Sequence, residues 1–515
     1  MAKSGCGWPR PHELDARNVN RSLLYVGSVA GFIALAGIGA AAGGSADPRF
    51  AYVCALFLVC ASPILFVDKL NGRYMLLCIF LPIYFMTFGA SDLLDLFLGP
   101  APVAPSGSTG KAEIAIVLGA ALIILGYRAI AELAGRVDRG TSAKDWPAIT
   151  VAIVGFIVWV VGVAATWVWQ VQVLKRAWDP LRDLSAVTGM ALTVGRMLHP
   201  LGIALLAYGF VTTKSRLFGL LILGVVVGEF VLGFVEDSKE IAIEPAVIVL
   251  VAKFLVDGRI PKSWLIAVFA VVILTFPIFQ AYRAEVLADR GISRADAATN
   301  LVKNIEIALT AERQHQKEVV YSSRSFLARA SYKPTVEMII ERVGVTAPFQ
   351  NGHTLLLIFE GFVPRVIWPT KPDTSIGQLF NRELHITETR DNYVSTTVLG
   401  ELYWNFSWLG IIVGCPLLGL FLGTVNRRCD LSQSRSVTRF LIFCITAYGF
   451  CFRFEDGLAM TSTIWIRTLF AIGVLHMLFA RTSRAVAVPA HRANLFGTES
   501  RKDAENALPY PNLLR

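Results

Sequence analysis

Apolar residues in this chain gather into long unbroken runs separated by short polar connectors. This differs from the narrow apolar stripe of a surface helix and from the alternation of a half-buried strand. The runs cover residues 22–43, 50–67, 74–91, 113–130, 148–172, 187–212, 217–235, 241–256, 263–282, 400–425, 438–452 and 461–480. Most reach the roughly 17–25 residues that carry a helix across a hydrocarbon core about 30 Å thick. In lipid the backbone must close its own hydrogen bonds, so the pattern predicts an all-α polytopic membrane protein with about twelve transmembrane helices. It divides the chain into a polar segment 1–21, nine helices over 22–282, a large loop over 283–396, three helices over 397–480 and a polar tail 481–515 expected to be disordered. Arg21 leads directly into a full-length run with no leader-like stretch before it, so the first span is expected to be retained.

Composition agrees with this reading. Apolar residues make up 54% of the 515 positions and charged residues only 17%, well below the roughly 25% charged that covers a soluble domain. The net charge of +10 would suit nucleic acid if it were concentrated on one face. It is spread over short connectors instead, which argues against a nucleic-acid partner. Eight cysteines lie in or beside the apolar runs and the segments assigned to the cytoplasm, and none falls in the large loop. They form no disulfide or zinc pattern, and packing is their expected use.

The distribution of Lys and Arg sets the expected orientation. Segments 1–21, 68–73, 128–147, 213–216, 253–262, 426–439 and 481–515 together hold 25 Lys and Arg, against 7 in segments 44–49, 91–112, 173–186, 236–240 and 453–460. Cations accumulate on the cytoplasmic side, so both termini are expected there and 283–396 on the outer side. That loop is nearly neutral, with 14 basic and 13 acidic residues. Stretches 296–319 and 324–343 have helical periodicity, through Leu301, Ile305, Leu309 and through Phe326, Ala330. Beyond them Pro364, Pro369 and Pro372 impose extended or turning backbone. A loop this long is more than a connector.

Several residues on the expected outer side can carry chemistry. Arg283 leaves the ninth run, where a cation also snorkels to lipid phosphate. Lys239 sits in the Glu236–Glu240 turn, which also reads as a self-neutralised connector. Arg365 and Lys371 are fixed among prolines beside Trp368, a stiff arrangement suited to phosphate. Glu401, Tyr403 and Asn405 stand at the mouth of the tenth run, where an ionisable group is costly unless paired or used. Arg453, Glu455 and Asp456 cap the last outer turn, and His353 is the histidine best placed for acid–base work. Asp92 and Asp95 form an outer acidic pair that reads as a helix end. Within the spans, Arg196 and His199 have Glu229 and Glu244 as plausible partners, in an arrangement that fits an internal ion pair or a proton path.

Taken in order, Arg329-Ala-Ser331, Gly352-His-Thr354, the run Phe362 to Pro372 and Gly400-Glu-x-Tyr403-x-Asn405-Phe406 resemble the Wzy-type polymerases, which join oligosaccharide repeat units of bacterial O-antigen or exopolysaccharide. Ser238-Lys239 and Tyr282-Arg283 are similar to that family too. The likeness spans roughly 225–470, and Ser407 departs from it, standing where the family pattern usually has Gly. The resemblance implies a GT-C-like membrane glycosyltransferase of the inner membrane that needs no cofactor, metal or nucleotide sugar. Its substrates would be undecaprenyl-diphosphate-linked glycans, and a chain-length regulator and a flippase would be its partners. In this reading Arg283, Arg329, Arg365, Lys371, Lys239 and Arg453 stabilise the departing diphosphate. Glu401 or His353 is the base, with Glu401 preferred. Tyr403 and Asn405 orient sugar hydroxyls, and Trp368 stacks on a ring. An O-antigen ligase shares the large late loop but uses a different acceptor. A twelve-helix secondary transporter shares the topology but usually has repeated halves, which are not visible here. An enzyme using lipid-linked monosaccharides would carry an acidic pair in the first outer loop, where only Asp47 stands.

Overall fold

The computed structural model describes residues 24–38, 49–66, 72–98, 109–133, 146–169, 186–236, 239–257, 331–363, 367–368, 376–387, 393–429 and 436–479, with isolated positions at 263, 266, 306 and 310. Among these the architecture is all-helical, with one isolated β-bridge between Val343 and Ala347. The helices are α1 (Leu24–Ile38), α2 (Arg49–Ala61), α3 (Pro63–Phe66), α4 (Met75–Phe88), α5 (Ala90–Leu98), α6 (Thr109–Leu133), α7 (Ala148–Val168), α8 (Ala186–Arg196), α9 (Leu198–Thr213), α10 (Arg216–Glu236) and α11 (Lys239–Asp257). After the large loop begins come α12 (Lys333–Arg342), α13 (His353–Phe362), α14 (Ile376–Leu384), α15 (Val398–Arg428), α16 (Val437–Thr446, running on as a π-turn over Ala447–Phe452) and α17 (Leu458–Phe479).

Eleven of the twelve apolar runs coincide with helices, while the ninth, 263–282, lies almost wholly outside the described residues. Among the described residues the number of spans is smaller than expected. Among the described residues six helices are long and apolar enough to cross a membrane, or seven if α4 and α5, bent by 45°, act as one span. The runs at 22–43, 50–67 and 438–452 form helices of only 10–17 residues, short of a roughly 20-residue crossing. The eighth run lies in α11, where Lys239, Glu240, Glu244, Lys253 and Asp257 dilute the apolar stretch.

The chain is a helical, multi-pass membrane protein. The exposed side chains of α7 include Ile149, Ile153, Phe156, Ile157, Val160 and Val161, and those of α10 include Leu217, Leu220, Leu223 and Val227. Helices apolar both inside and outside the bundle have no face for water and need lipid around them.

Packing inside the bundle relies on close backbone approach. α6 and α15 form the most extensive pair. A Cβ on Gly126 would lie 2.1 Å from the Pro416 carbonyl oxygen, and one on Gly419 would lie 2.1 Å from that of Ile123. Only glycine lets the two helices cross at this distance, the usual small-residue solution in lipid, where apolar burial gives helices no reason to associate. α7 and α9 meet in the same way, with Gly162 against the His199 backbone and Gly202 against that of Trp159.

Loop elements dock on this bundle. The 324–343 prediction is met in part: residues 331–332 are not helical, Tyr332 is the N-cap, and the helix begins at Lys333, because Pro334 favours the first turn. α13 and α14 are additional helices on either side of the proline run. Pro364, Pro369 and Pro372 lie outside the described residues, as do Phe326, Ala330, segment 1–21 and tail 481–515. Of 296–319, only the isolated positions 306 and 310 are described, both helical.

Candidate functional site

Glu401 and Asn405 lie one turn apart on α15, each 0% exposed. The segment carrying them is bracketed by two residues in backbone conformations that L side chains rarely adopt. Thr397, the N-cap, has φ 61° and ψ 153°, and Ser407 has φ 56° and ψ −144°. Each such residue costs about 1–3 kcal/mol and persists only where its surroundings impose it. At Thr397 the hydroxyl accepts from the Gly400 N–H at 2.9 Å, while its own N–H donates to the Glu455 carbonyl at 2.7 Å. At the other end, Phe406 and Ser407 break the helix, freeing carbonyls that a continuous helix would use. Two loop amides take them: Gln350 N–H donates to the Trp404 carbonyl at 3.0 Å, and Asn351 N–H donates to that of Asn405 at 3.1 Å.

These contacts bring the start of α13 against α15. The Gly352 N–H donates to Asn405 Oδ1 at 2.9 Å, and Asn405 Nδ2 donates to Thr354 Oγ1 at 2.6 Å and to the Glu401 main-chain carbonyl at 2.8 Å. Thr354 Oγ1 donates to Glu401 Oε1 at 2.7 Å, and the Ala459 N–H of α17 donates to Oε2 at 3.2 Å. Gly457, with φ +90°, completes the enclosure: a Cβ there would lie 2.7 Å from Glu401 Oε2. One carboxylate thus ties α13, α15 and α17 together through neutral donors.

Arg453 sits on the adjoining turn, its Nε 2.7 Å from Asp456 Oδ2 and its guanidinium 5.8 Å from the centre of the Tyr448 ring. Asp456 immediately precedes Gly457, so Arg453 and Glu401 border the same turn. Tyr393 also covers it, donating to Met460 Sδ at 2.8 Å, and burial pushes its phenol well up from the ordinary value. Tyr403 is buried with its ring edge-on to Trp408 at 5.9 Å, and Trp404 donates to the Pro348 carbonyl at 3.3 Å. His353, the first residue of α13, is exposed, as are Ile367 and Trp368.

The structure therefore gathers Glu401, Asn405, Arg453 and the 352–354 segment, and leaves His353 on the surface beside them. Arg283, Arg329, Arg365 and Lys371 lie outside the described residues, and so does the side chain of Lys239, which begins α11. Against known proteins, the chain matches no family model, no curated protein and no solved structure.

Two participants are not marked by charge pattern or periodicity. Thr354 was only the third residue of a quoted motif, because a threonine in an apolar helix has no periodic mark. Lys333 belongs to no motif, although Asp92 stands in a visible acidic pair. Lys333 Nζ lies 2.7 Å from both Asp92 Oδ2 and Glu113 Oε1, 3.9 Å from Glu337 Oε1 and 4.4 Å from the Tyr52 ring centre. Asp95 pairs with Arg49 at 3.3 Å. Asp92 is thus where the loop helix α12 docks on the bundle, while Asp95 pairs within the bundle.

Proposed function

We propose that this protein is a polysaccharide polymerase, joining diphosphate-lipid-linked oligosaccharide repeat units on the outer side of the bacterial inner membrane. One observation carries the reading. Gly352-His-Thr354 and Gly400-Glu-x-Tyr-x-Asn405, quoted separately for the family resemblance, form one hydrogen-bonded unit, with Arg453 on the turn that closes it.

In the proposed reaction an acceptor sugar hydroxyl attacks the anomeric carbon of the donor. The new glycosidic C–O bond forms as the bond from that carbon to the diphosphate oxygen breaks. The electron pair leaves with undecaprenyl diphosphate, and a base takes the hydroxyl proton. Exposure favours His353 as that base, because both Glu401 carboxylate oxygens are engaged by Thr354 and Ala459. Glu401 and Asn405 then hold His353 in place rather than meeting the sugar. Arg453, with Arg283, Arg329, Arg365, Lys371 and Lys239 by their place in the motifs, supplies the positive charge that steadies the leaving diphosphate. Both termini lie in the cytoplasm in this proposal, and a GT-C-like fold, a chain-length regulator and a flippase belong to it as family expectations.

The test is to incubate the full chain in lipid nanodiscs with synthetic diphosphate-linked repeat units and resolve the products. A ladder of polymer on the lipid carrier supports the proposal, and its loss in Arg365→Ala, with normal membrane insertion, supports the cation role. Transfer to a terminal acceptor without a ladder would make the protein a ligase. Solute uptake by proteoliposomes with no glycan product would make it a transporter.

A further inference from the structure

The proposed reaction leaves a second set of ionisable groups unused. His199 on α9, Glu229 on α10 and Glu244 on α11 lie on three apolar helices packed on one another. Glu229 is 0% exposed and Glu244 3%. Trp159 of α7 donates its indole N–H to Glu229 Oε1 at 2.6 Å, and His199 Nδ1 lies 3.3 Å from the same oxygen. Glu229 Oε2 is buried without a hydrogen-bond partner, and the Glu244 carboxylate has only the Tyr448 hydroxyl directed to it. The groups facing Glu244 are His199 from α9, Glu229 from α10, and Arg453 and the Tyr448 hydroxyl from the chain after α16, while α7 contributes the uncharged Trp159.

Two ionised carboxylates with unused oxygens are costly in an apolar bundle. A metal ion does not fit, since among the described residues no three His, Cys, Asp or Glu stand close enough to hold one. A proton does, because it cancels charge and turns an unused acceptor into a donor. We propose that His199, Glu229 and Glu244 form a proton-binding site inside the bundle, and that Arg453 links its charge state to the turn enclosing Glu401. The link runs through Arg453, whose charge acts on Glu244 and which holds Asp456 at 2.7 Å, next to Gly457. The inference stands independently of the polymerase reading.

Infrared difference spectra of the full chain in lipid nanodiscs, taken across pH in H2O and D2O, test it. The wild type should show a carbonyl band of a protonated, buried carboxyl group that shifts in D2O and disappears as pH rises. Glu244→Gln should remove that band, and Glu244→Asp, which keeps the acid on a shorter arm, should move it. Arg453→Gln removes a facing cation and should raise the titration midpoint by about one pH unit. The site is overturned if the wild type has no such titrating band, or if the band is unchanged in Glu244→Gln and Glu229→Gln. Should Glu244→Gln fail to fold, an unmoved band in Glu244→Asp overturns it equally. An unmoved midpoint in Arg453→Gln overturns the link to the turn.

Discussion

Lys333 and Glu401 are both almost completely buried charged residues, at 5% and 0% exposure, but the protein accommodates them in opposite ways. Lys333 is met by charge, with two carboxylates at 2.7 Å and a third at 3.9 Å. Burial works against its ammonium, yet Asp92 and Glu113 outweigh burial and hold its pKa above the ordinary 10.5. Burial also pushes Glu337 up, and Lys333 offsets this only in part. Glu401 is met by a threonine hydroxyl and a main-chain amide, with no cation among its hydrogen-bond partners. The difference follows from position. The acids around Lys333 stay partly exposed and dock a loop helix by attraction. Glu401 is enclosed where three helices meet, and directional neutral bonds fix their geometry there.

Removing either centre tests that contrast. Lys333→Met leaves Asp92, Glu113 and Glu337 together without their cation and should cost about 3–5 kcal/mol, read as a lowered Tm in nanodiscs. A change near zero would mean that the docking does not depend on charge. The same pair sets a pH dependence. Because the folded pKa of Lys333 is raised, its stabilisation is complete below pH 10.5 and is lost as pH rises through the folded value. The Tm gap between wild type and Lys333→Met should therefore narrow only in strongly alkaline buffer.

Glu401→Ala leaves the Thr354 O–H and the Ala459 N–H without an acceptor, with an expected loss of about 3 kcal/mol. Unlike the Lys333 gap, this loss should be insensitive to added salt, since its partners are neutral; a strong salt dependence would reveal a charged partner. Gly457→Ala places a Cβ at positive φ against Glu401 Oε2 and should cost about 1–2 kcal/mol, with Gly457→Leu worse. Ser407→Gly should stabilise by about 1 kcal/mol by relieving the φ of 56°. His353→Ala, on the exposed face, should change Tm least, by about 0.5 kcal/mol or less in stability. If His353 is the base, the same variant should nevertheless abolish polymer formation. A Tm loss as large as that of Glu401→Ala would instead make His353 a packing residue.

The strained residue at 407 shows how local sequence and tertiary structure meet. The serine at this position was visible in the motif, but the backbone that makes a side chain there costly was not. The φ of 56° is imposed by the break in α15, and that break is held by amides of Gln350 and Asn351 from another segment. Asp92 and Asp95 were likewise visible as an acidic pair. Their partners, Lys333 and Arg49, are 241 and 46 positions away, and no spacing rule reaches that far. The pairing of His199 with Glu229 was among the expected ones, whereas Arg196 stands over the Trp169 ring at 5.2 Å.

By itself the sequence determined that this chain lives in a membrane as a set of helices, and where most of those helices run. Hydropathy and backbone satisfaction are properties of consecutive residues and need no knowledge of neighbours. Tertiary structure alone decided which helices are long enough to cross, which glycines let α6 meet α15, and that Glu401 is enclosed by Thr354 and Ala459 instead of open to water. Those outcomes depend on contacts between residues far apart in the chain, where a side chain's role is set by what packs against it.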